Sequence, residues 1–134
     1  MSEIYLSVVI PCYNEMENLQ RGVLDEVNDF LTKQNFSWEV IISDDGSTDE
    51  SKKIVSEQVK GKKNFRLVEN SHGGKPLAVW SGIKNAGGEY VLFTDMDQST
   101  PIKQHLNKKI HTERQPTIQL PYCKFSFPKN KLRR

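Results

Sequence analysis

Two carboxylates one residue apart, Asp95 and Asp97, follow directly on the apolar segment Tyr90–Phe93. Such a segment of aromatic and β-branched residues is typical of a buried strand, so both acids are expected at the rim of a sheet. Alternate residues of an extended chain point the same way, so the two carboxylates can converge on one divalent cation, with Gln98 adding a neutral oxygen. A solvated turn after a strand explains the same pattern, and this stretch alone favours the turn.

Polar residues also follow two earlier strand-like segments. The β-branched segment 6–10 ends at Pro11 and continues through the polar turn Cys12–Glu15. The apolar segment 39–43 continues into two adjacent acids, Asp44 and Asp45. A metal or ligand site is therefore indicated if these turns lie near Asp95 and Asp97.

The elements that must position these turns alternate along the chain. Strand patterns at 6–10, 39–43, 65–68 and 90–93 are separated by three helical patterns. Helical crossovers between strands predict an α/β fold with a mostly parallel sheet and helices on both faces. Ligands in such sheets bind at the carboxyl ends of the strands, where the strand order reverses. If the fourth strand returns beside the first, the crevice lies between the turns that contain Glu15 and Asp95, with Asp44 beside it.

Helix starts are predicted from capping boxes, in which a small polar residue is followed three positions later by Glu. Asn14 with Glu17 and Ser47 with Glu50 fit this pattern and predict the first turns of two helices. The first helix is expected to run on to about residue 33. The inward stripe of the third helix is predicted at Leu77, Trp80 and Ile83.

Composition is that of an ordinary soluble protein, with 36% hydrophobic and 27% charged residues in a chain of 134. No segment approaches the roughly 18 apolar residues of a membrane-spanning helix. Met1–Tyr5 lacks the features of a secretory signal, so a cytoplasmic location is expected. Cys12 and Cys123 have no CxxC partner and are interpreted as unpaired thiols. His105 and His111 lack the one-turn spacing of a helical metal pair, and no metal role is assigned to them.

Charge divides the chain into two parts. Residues 103–134 carry nine Lys or Arg against the single acid Glu113, a charge of +8, whereas residues 1–102 carry −6. The second part has no sustained hydrophobic period and contains three prolines. We expect one domain over residues 1–102 and a basic, poorly ordered tail over 103–134.

Four motifs in this order resemble the family 2 glycosyltransferases of the GT-A fold. They span Val8–Glu15, Ile41–Asp49, His72–Lys75 and Phe93–Gln98. Within the family, the polyprenyl-phosphate and dolichyl-phosphate sugar transferases are the most similar. The resemblance covers roughly residues 5–102 and implies a three-layer, Rossmann-like GT-A fold.

The resemblance implies an inverting sugar transfer from a nucleotide-diphosphate-sugar donor. The nucleotide-binding residues that it implies are Pro11, Tyr13, Asn14, Glu15, Asp44, Asp45, Lys75, Asp95 and Met96. Glu15 would accept hydrogen bonds from the ribose, and Asp44 or Asp45 from the base. Carboxylates suit hydroxyl and N–H donors but repel phosphates, so the diphosphate needs a cation. Mg²⁺ or Mn²⁺ would be held by Asp95, Asp97 and Gln98.

The chain departs from the family after residue 102. Family members are longer, and their second half completes the sheet, binds the acceptor and supplies a catalytic carboxylate base. We therefore expect a truncated enzyme with weak or no transfer activity and an unidentified base. The acceptor stays open between a polyprenyl phosphate and a growing polysaccharide. Family members often lie at the cytoplasmic face of a membrane. An incomplete sheet would expose its fourth strand, which predicts self-association through that edge.

Two other function classes remain open from the sequence. Haloacid-dehalogenase-like phosphatases also carry Asp-x-Asp after an apolar strand, and there Asp95 would be the phosphoryl nucleophile. That motif normally opens its fold, however, whereas here three strand–helix units precede it. A non-catalytic nucleotide-binding or interaction module is the second alternative. The charge of the tail has no interleaved aromatic pattern and does not predict specific nucleic-acid binding.

Overall fold

A computed structural model of the chain describes residues 3–97. The four strands are Leu6–Cys12 (β1), Trp38–Asp44 (β2), Phe65–Glu69 (β3) and Tyr90–Phe93 (β4). The four helices are Met16–Gln20 (α1), Val23–Thr32 (α2), Ser51–Val59 (α3) and Lys75–Asn85 (α4). Gln98 and the predicted tail 103–134 lie outside the described residues.

The strands form one parallel sheet in the order β3-β2-β1-β4. The chain thus winds outward through β2 and β3 and then returns to the other side of β1, as predicted. Val9 of β1 is in register with Ile41 of β2 and with Phe93 of β4. The strand order reverses between β1 and β4, which places the predicted crevice there. Self-association through β4 stays a prediction.

Helices cover both faces of the sheet, which confirms the predicted three layers. Val8 and Ile10 lie in a core with residues of α1, α2 and α3, whereas Val9 packs on the opposite face against α4. All seven residues of β1 are buried, so the side chains on both faces of this strand must be apolar or have hydrogen-bonded polar groups. Burying one Val, Leu or Ile side chain fully stabilises the fold by about 1.5–3 kcal/mol relative to leaving it exposed. No helix within residues 3–97 has the length and apolar character needed to cross a bilayer.

The predicted first helix is divided in two, and neither capping box forms. Gly22, with φ of 88°, separates α1 from α2. Glu15 and Glu50 occupy the N-cap positions of α1 and α3, and neither makes a side-chain capping bond. The polar side chains expected to cap these helices are instead bonded within and between the loops, as described below.

The inward face of α4 differs from the prediction at two of three positions. Ile83 is buried, but Leu77 is 60% exposed and Trp80 is 45% exposed. The buried face consists of Ala78, Val79, Gly82 and Ile83. A Cβ atom on Gly82 would lie 2.4 Å from Val9 Cγ1, so the helix approaches β1 through small residues. Leu77 and Trp80 therefore lie on the exposed side of the helix.

The turn between α4 and β4 packs closely against β1 at Ser7. The backbone N–H of Gly88 donates to Ser7 Oγ at 2.8 Å, and the hydroxyl of Ser7 donates to Glu39 Oε1 at 2.9 Å. The N–H of Gly87 also donates to Glu39 Oε1, at 2.8 Å. Glu39 is 8% exposed, and Arg66 lies 3.5 Å from its carboxylate. This buried network attaches the start of β4 to the first two strands.

Candidate functional site

A cleft of about 320 Å³ opens at the carboxyl ends of the strands, where the strand order reverses. It is lined by Pro11, Cys12, Tyr13, Glu15, Asp45, His72, Gly74, Lys75, Ala78, Asp95, Met96 and Asp97. The β1–α1 turn, the end of β2, the start of α4 and the end of β4 all contribute to it. Residues from all four motifs therefore meet in one place.

Most of the residues that the sequence predicts for nucleotide binding line this cleft. Those that do are Pro11, Tyr13, Glu15, Asp45, Lys75, Asp95 and Met96. Asn14 and Asp44 are not among the lining residues. Their side chains are bonded within the surrounding loops and shape the cleft from behind.

Asp44 builds the turn after β2. Its side chain is 1% exposed, and its Oδ2 accepts the backbone N–H groups of Gly46 and Ser47 at 3.0 Å. Its Oδ1 accepts the hydroxyl of Ser47 at 2.6 Å, which explains why Ser47 does not cap α3. Of the two predicted base-binding acids, only Asp45 lines the cleft.

Asp45 connects β2 to the glycine-rich loop before α4. It is 3% exposed, and its carboxylate accepts the backbone N–H groups of Gly73 at 2.9 Å and Gly74 at 3.1 Å. His72 Nδ1 lies 3.0 Å from Asp45 Oδ2. Gly46, with φ of 72°, permits this approach, because a Cβ there would lie 2.7 Å from the backbone nitrogen of His72. Hydrogen bonds to a charged acceptor are about twice as strong as neutral ones, so this carboxylate fixes the loop firmly.

Asn14 joins the β1–α1 turn to the loop before α3. Its backbone is left-handed, with φ of 53°, which Asn tolerates better than most residues. Its Oδ1 accepts the backbone N–H groups of Thr48 at 2.9 Å and Asp49 at 3.3 Å. The next residue is attached to the start of α3, since the N–H of Glu15 donates to Ser51 Oγ at 2.8 Å. Asn14 therefore positions its two neighbours in the cleft and does not line it.

An aromatic pair borders the cleft. The rings of Tyr13 and His72 are stacked with centroids 4.6 Å apart and planes 25° apart. Tyr13 is 41% exposed, so part of its ring is accessible beside the cleft. His72 was not predicted as a site residue, although it belongs to the motif His72–Lys75. Its role in the cleft depends on a contact between loops that the sequence pattern does not display.

Asp95 and Asp97 reach the cleft from the end of β4. Met96 between them is 1% exposed and belongs to the core, while Asp95 is half-buried and Asp97 exposed. The ammonium group of Lys75 contacts Asp95 Oδ1. Residues 96 and 97 form a turn after β4, and Asp95 and Asp97 both line the cleft on either side of the buried Met96.

Asp95 and Asp97 suit a hard divalent cation if a bound ligand supplies part of the coordination of that cation. Within residues 3–97 no group of three or more His, Cys, Asp or Glu side chains is arranged to hold a metal. Mg²⁺ is commonly bound by one or two carboxylates, with waters and substrate phosphates completing its coordination. Asp95 and Asp97 fit that arrangement, and Gln98 lies outside the described residues.

Cys12 lies at the floor of the cleft with its side chain fully buried. Burial, assisted by the negative charges of Asp44 and Glu15, raises the pKa of its thiol from 9.0 to about 12. Below pH 9 the thiol is protonated in both the folded and the unfolded chain. Above pH 9 the unfolded chain loses this proton first, so the stability that depends on the neutral thiol is lost as the pH rises towards 12.

We therefore expect alkaline pH to destabilise the wild-type chain more than Cys12→Ala. Between pH 9 and pH 10 the difference in free energy of unfolding between the two should narrow by about 1 kcal/mol, because one pKa unit corresponds to about 1.4 kcal/mol. Urea unfolding at pH 8, 9 and 10 measures it. Parallel pH profiles of the two proteins would contradict a buried neutral thiol at this position.

Comparison with known proteins assigns the chain to a family. Residues 7–112 match the model of glycosyl transferase family 2. A dolichyl-phosphate β-glucosyltransferase of Saccharomyces cerevisiae is 41% identical over 101 residues, which cover 71% of this chain and 30% of the yeast protein. The chain spans about a third of the length of the curated relatives it matches.

Two solved structures share the fold. The crystal structure of residues 1–349 of Staphylococcus aureus TarS in complex with UDP has a TM-score of 0.58 and 31% identity, over 70% of this chain and 28% of that one. The mannosyltransferase PcManGT of Pyrobaculum calidifontis in complex with GDP-Man and Mn²⁺ has a TM-score of 0.68 and 26% identity, over 87% and 34%. None of these similarities supports the phosphatase alternative. With its parallel GT-A-like sheet and its match over residues 7–112, the chain belongs to glycosyl transferase family 2.

Proposed function

We propose that this chain binds the nucleotide-diphosphate part of an activated sugar and forms the donor-binding part of an inverting glycosyltransferase. The observation that carries the proposal is the distribution of groups in the cleft. Tyr13, Glu15 and Asp45 lie at the ends of β1 and β2, and Asp95 and Asp97 lie at the end of β4. The β1–β2 side of the cleft thus offers hydrogen-bond acceptors and an aromatic surface, and the β4 side offers ligands for a cation.

The nucleoside would be bound on the β1–β2 side. A planar base has the shape to stack on the exposed ring of Tyr13. The carboxylate of Asp45 would accept an N–H of the base, since an ionised carboxylate accepts hydrogen bonds and donates none. Glu15 would accept from the ribose hydroxyls, and its side chain is already oriented by Asn18, whose Nδ2 donates to Glu15 Oε2 at 2.7 Å.

The diphosphate would be bound on the β4 side with Mg²⁺ or Mn²⁺ on Asp95 and Asp97. When bound, such a metal stabilises the negative charge that develops on the diphosphate as the sugar leaves. The two carboxylates would otherwise repel the phosphates, so metal and donor are expected to bind together. The structure of PcManGT in complex with GDP-Man and Mn²⁺ supports a divalent metal in this role.

The acceptor side of the reaction is proposed from the relatives. The yeast relative is a dolichyl-phosphate β-glucosyltransferase, which supports a polyprenyl phosphate as the acceptor class. Such an acceptor would place the reaction at a membrane surface, and for this chain we propose the cytoplasmic face. The catalytic base is expected outside residues 3–97.

Calorimetric titration tests the donor site. UDP and GDP, each free and as a sugar conjugate, are titrated into the 134-residue chain with Mn²⁺ and again with EDTA. We expect at least one nucleotide to bind, with an affinity at least about tenfold lower in EDTA, because the phosphates lose their counter-cation. If none of the nucleotides binds with Mn²⁺ present, the proposal is wrong.

A further inference from the structure

The contact between Lys75 and Asp95 has a consequence for metal binding. Lys75 is the first residue of α4, and Asp95 follows β4, 20 positions later in the chain. Both line the cleft, and their side chains are 52% and 43% exposed. The ammonium group therefore lies on a carboxylate that the proposed function gives to a divalent cation.

The charges that line the cleft explain why a cation lies there. Four carboxylates line it, from Glu15, Asp45, Asp95 and Asp97, and Lys75 is the single Lys or Arg among the lining residues that the structure describes. Like charges in one cleft repel each other, and an ammonium group relieves that repulsion. A lysine ammonium is a compact charge on a flexible stem, and it can leave one carboxylate without a change in the backbone.

We propose that Lys75 is a tethered counter-cation of Asp95, which a divalent metal displaces and thereby releases towards the donor phosphates. This inference rests on the proposed function. A dication on Asp95 and an ammonium group at contact distance from the same carboxylate repel each other, so the two states exclude one another. The released ammonium group stays attached to the first turn of α4, beside Gly74 at the rim of the cleft.

Two opposite effects of removing the Lys75 charge follow from this exchange. Without nucleotide, Lys75→Met should bind Mn²⁺ more tightly than the wild type, because no ammonium group competes for Asp95. The gain should be about two- to fivefold, since an ion pair this exposed contributes up to about 1 kcal/mol. With nucleotide, the variant lacks the released charge, so UDP should increase its Mn²⁺ affinity by a smaller factor than in the wild type.

Mn²⁺ titration followed by the electron paramagnetic resonance of free Mn²⁺ measures both effects, without and with saturating UDP. Lys84→Met is the matched control, because Lys84 is an exposed lysine on the last turn of the same helix. Lys75→Arg retains the charge and should keep the wild-type affinity for Mn²⁺ alone. A lysine that only binds phosphate would change the UDP-dependent factor and leave the affinity for Mn²⁺ alone unchanged.

The outcomes separate this inference from the proposed function. Tighter Mn²⁺ binding by Lys75→Met than by Lys84→Met, with a smaller effect of UDP, supports the exchange. Equal Mn²⁺ affinities of the two variants in the absence of UDP overturn the exchange, while UDP-dependent Mn²⁺ binding by the wild type would leave the donor site in place. If no variant and no wild-type sample binds Mn²⁺ with or without UDP, both are overturned.

Discussion

Gly88→Ala is expected to lower the free energy of unfolding by about 3 kcal/mol or more, as measured by urea denaturation. A Cβ atom at this position would lie 2.6 Å from Ser7 Oγ, 2.7 Å from the backbone nitrogen of Ser7 and 3.0 Å from the carbonyl carbon of Leu6. Two of these atoms belong to the backbone of the central strand β1 and cannot rotate away. The hydrogen bond from Gly88 to Ser7 and its link to Glu39 would be disturbed at the same time.

Gly87→Ala is the matched control for this substitution. The nearest atom to a Cβ there is Ile4 Cδ1 at 3.6 Å, an ordinary van der Waals contact at the end of a flexible side chain. The same chemical change one residue earlier should therefore keep the free energy of unfolding within about 1 kcal/mol of the wild type. Equal stabilities of the two variants would show that the turn does not cross β1 as closely as described.

Asp97→Asn is expected to lower the affinity for UDP in the presence of Mn²⁺ about tenfold or more, up to the loss that EDTA causes in the wild type, because it removes one of two charged ligands from the proposed metal site. Asp97 is exposed, so the substitution should change the free energy of unfolding by no more than about 0.5 kcal/mol. Calorimetric titration gives the affinity, and thermal unfolding confirms that the variant is folded. In EDTA the variant and the wild type should bind UDP with equal affinity, because neither has a bound metal.

Asp29→Asn provides the control for a general loss of negative charge. Asp29 is an exposed acid of α2, on the opposite face of the sheet from α4, and it does not line the cleft. This variant should bind UDP and Mn²⁺ like the wild type. If Asp97→Asn retains wild-type affinity in Mn²⁺, the metal is held elsewhere, and the assignment of Asp97 as a ligand is wrong.

Strand order and the position of the cleft could be predicted because they depend on patterns that are local in the sequence. Each buried strand is a continuous apolar segment, and consecutive strands are connected by helical segments. Parallel pairing and the reversal of strand order between β1 and β4 then follow from general rules of α/β sheets. The polar turns after β1, β2 and β4 are brought together by that topology alone.

Roles within the turns could not be predicted, because they depend on contacts between distant loops. Asn14 and Ser47 have the sequence pattern of helix caps, yet their partners lie in a loop some 34 positions away from Asn14 and in the turn at Asp44. Asp44 and Asp45 are adjacent acids, and only the tertiary structure separates the turn-forming residue from the cleft-lining one. The exposure of Leu77 and Trp80 likewise follows from the close approach of Gly82 to β1.

The central position of β1 has a consequence for the time course of folding during synthesis. The strand is made first, it acquires β2 on one side early, and its other side is completed only when β4 arrives. At a ribosomal rate of about 5–20 residues per second, the segment between the ends of β2 and β4 takes about 3–10 s to emerge. During that interval the edge of β1 that faces β4 is unpaired and apolar. Such edges are bound by chaperones and promote aggregation.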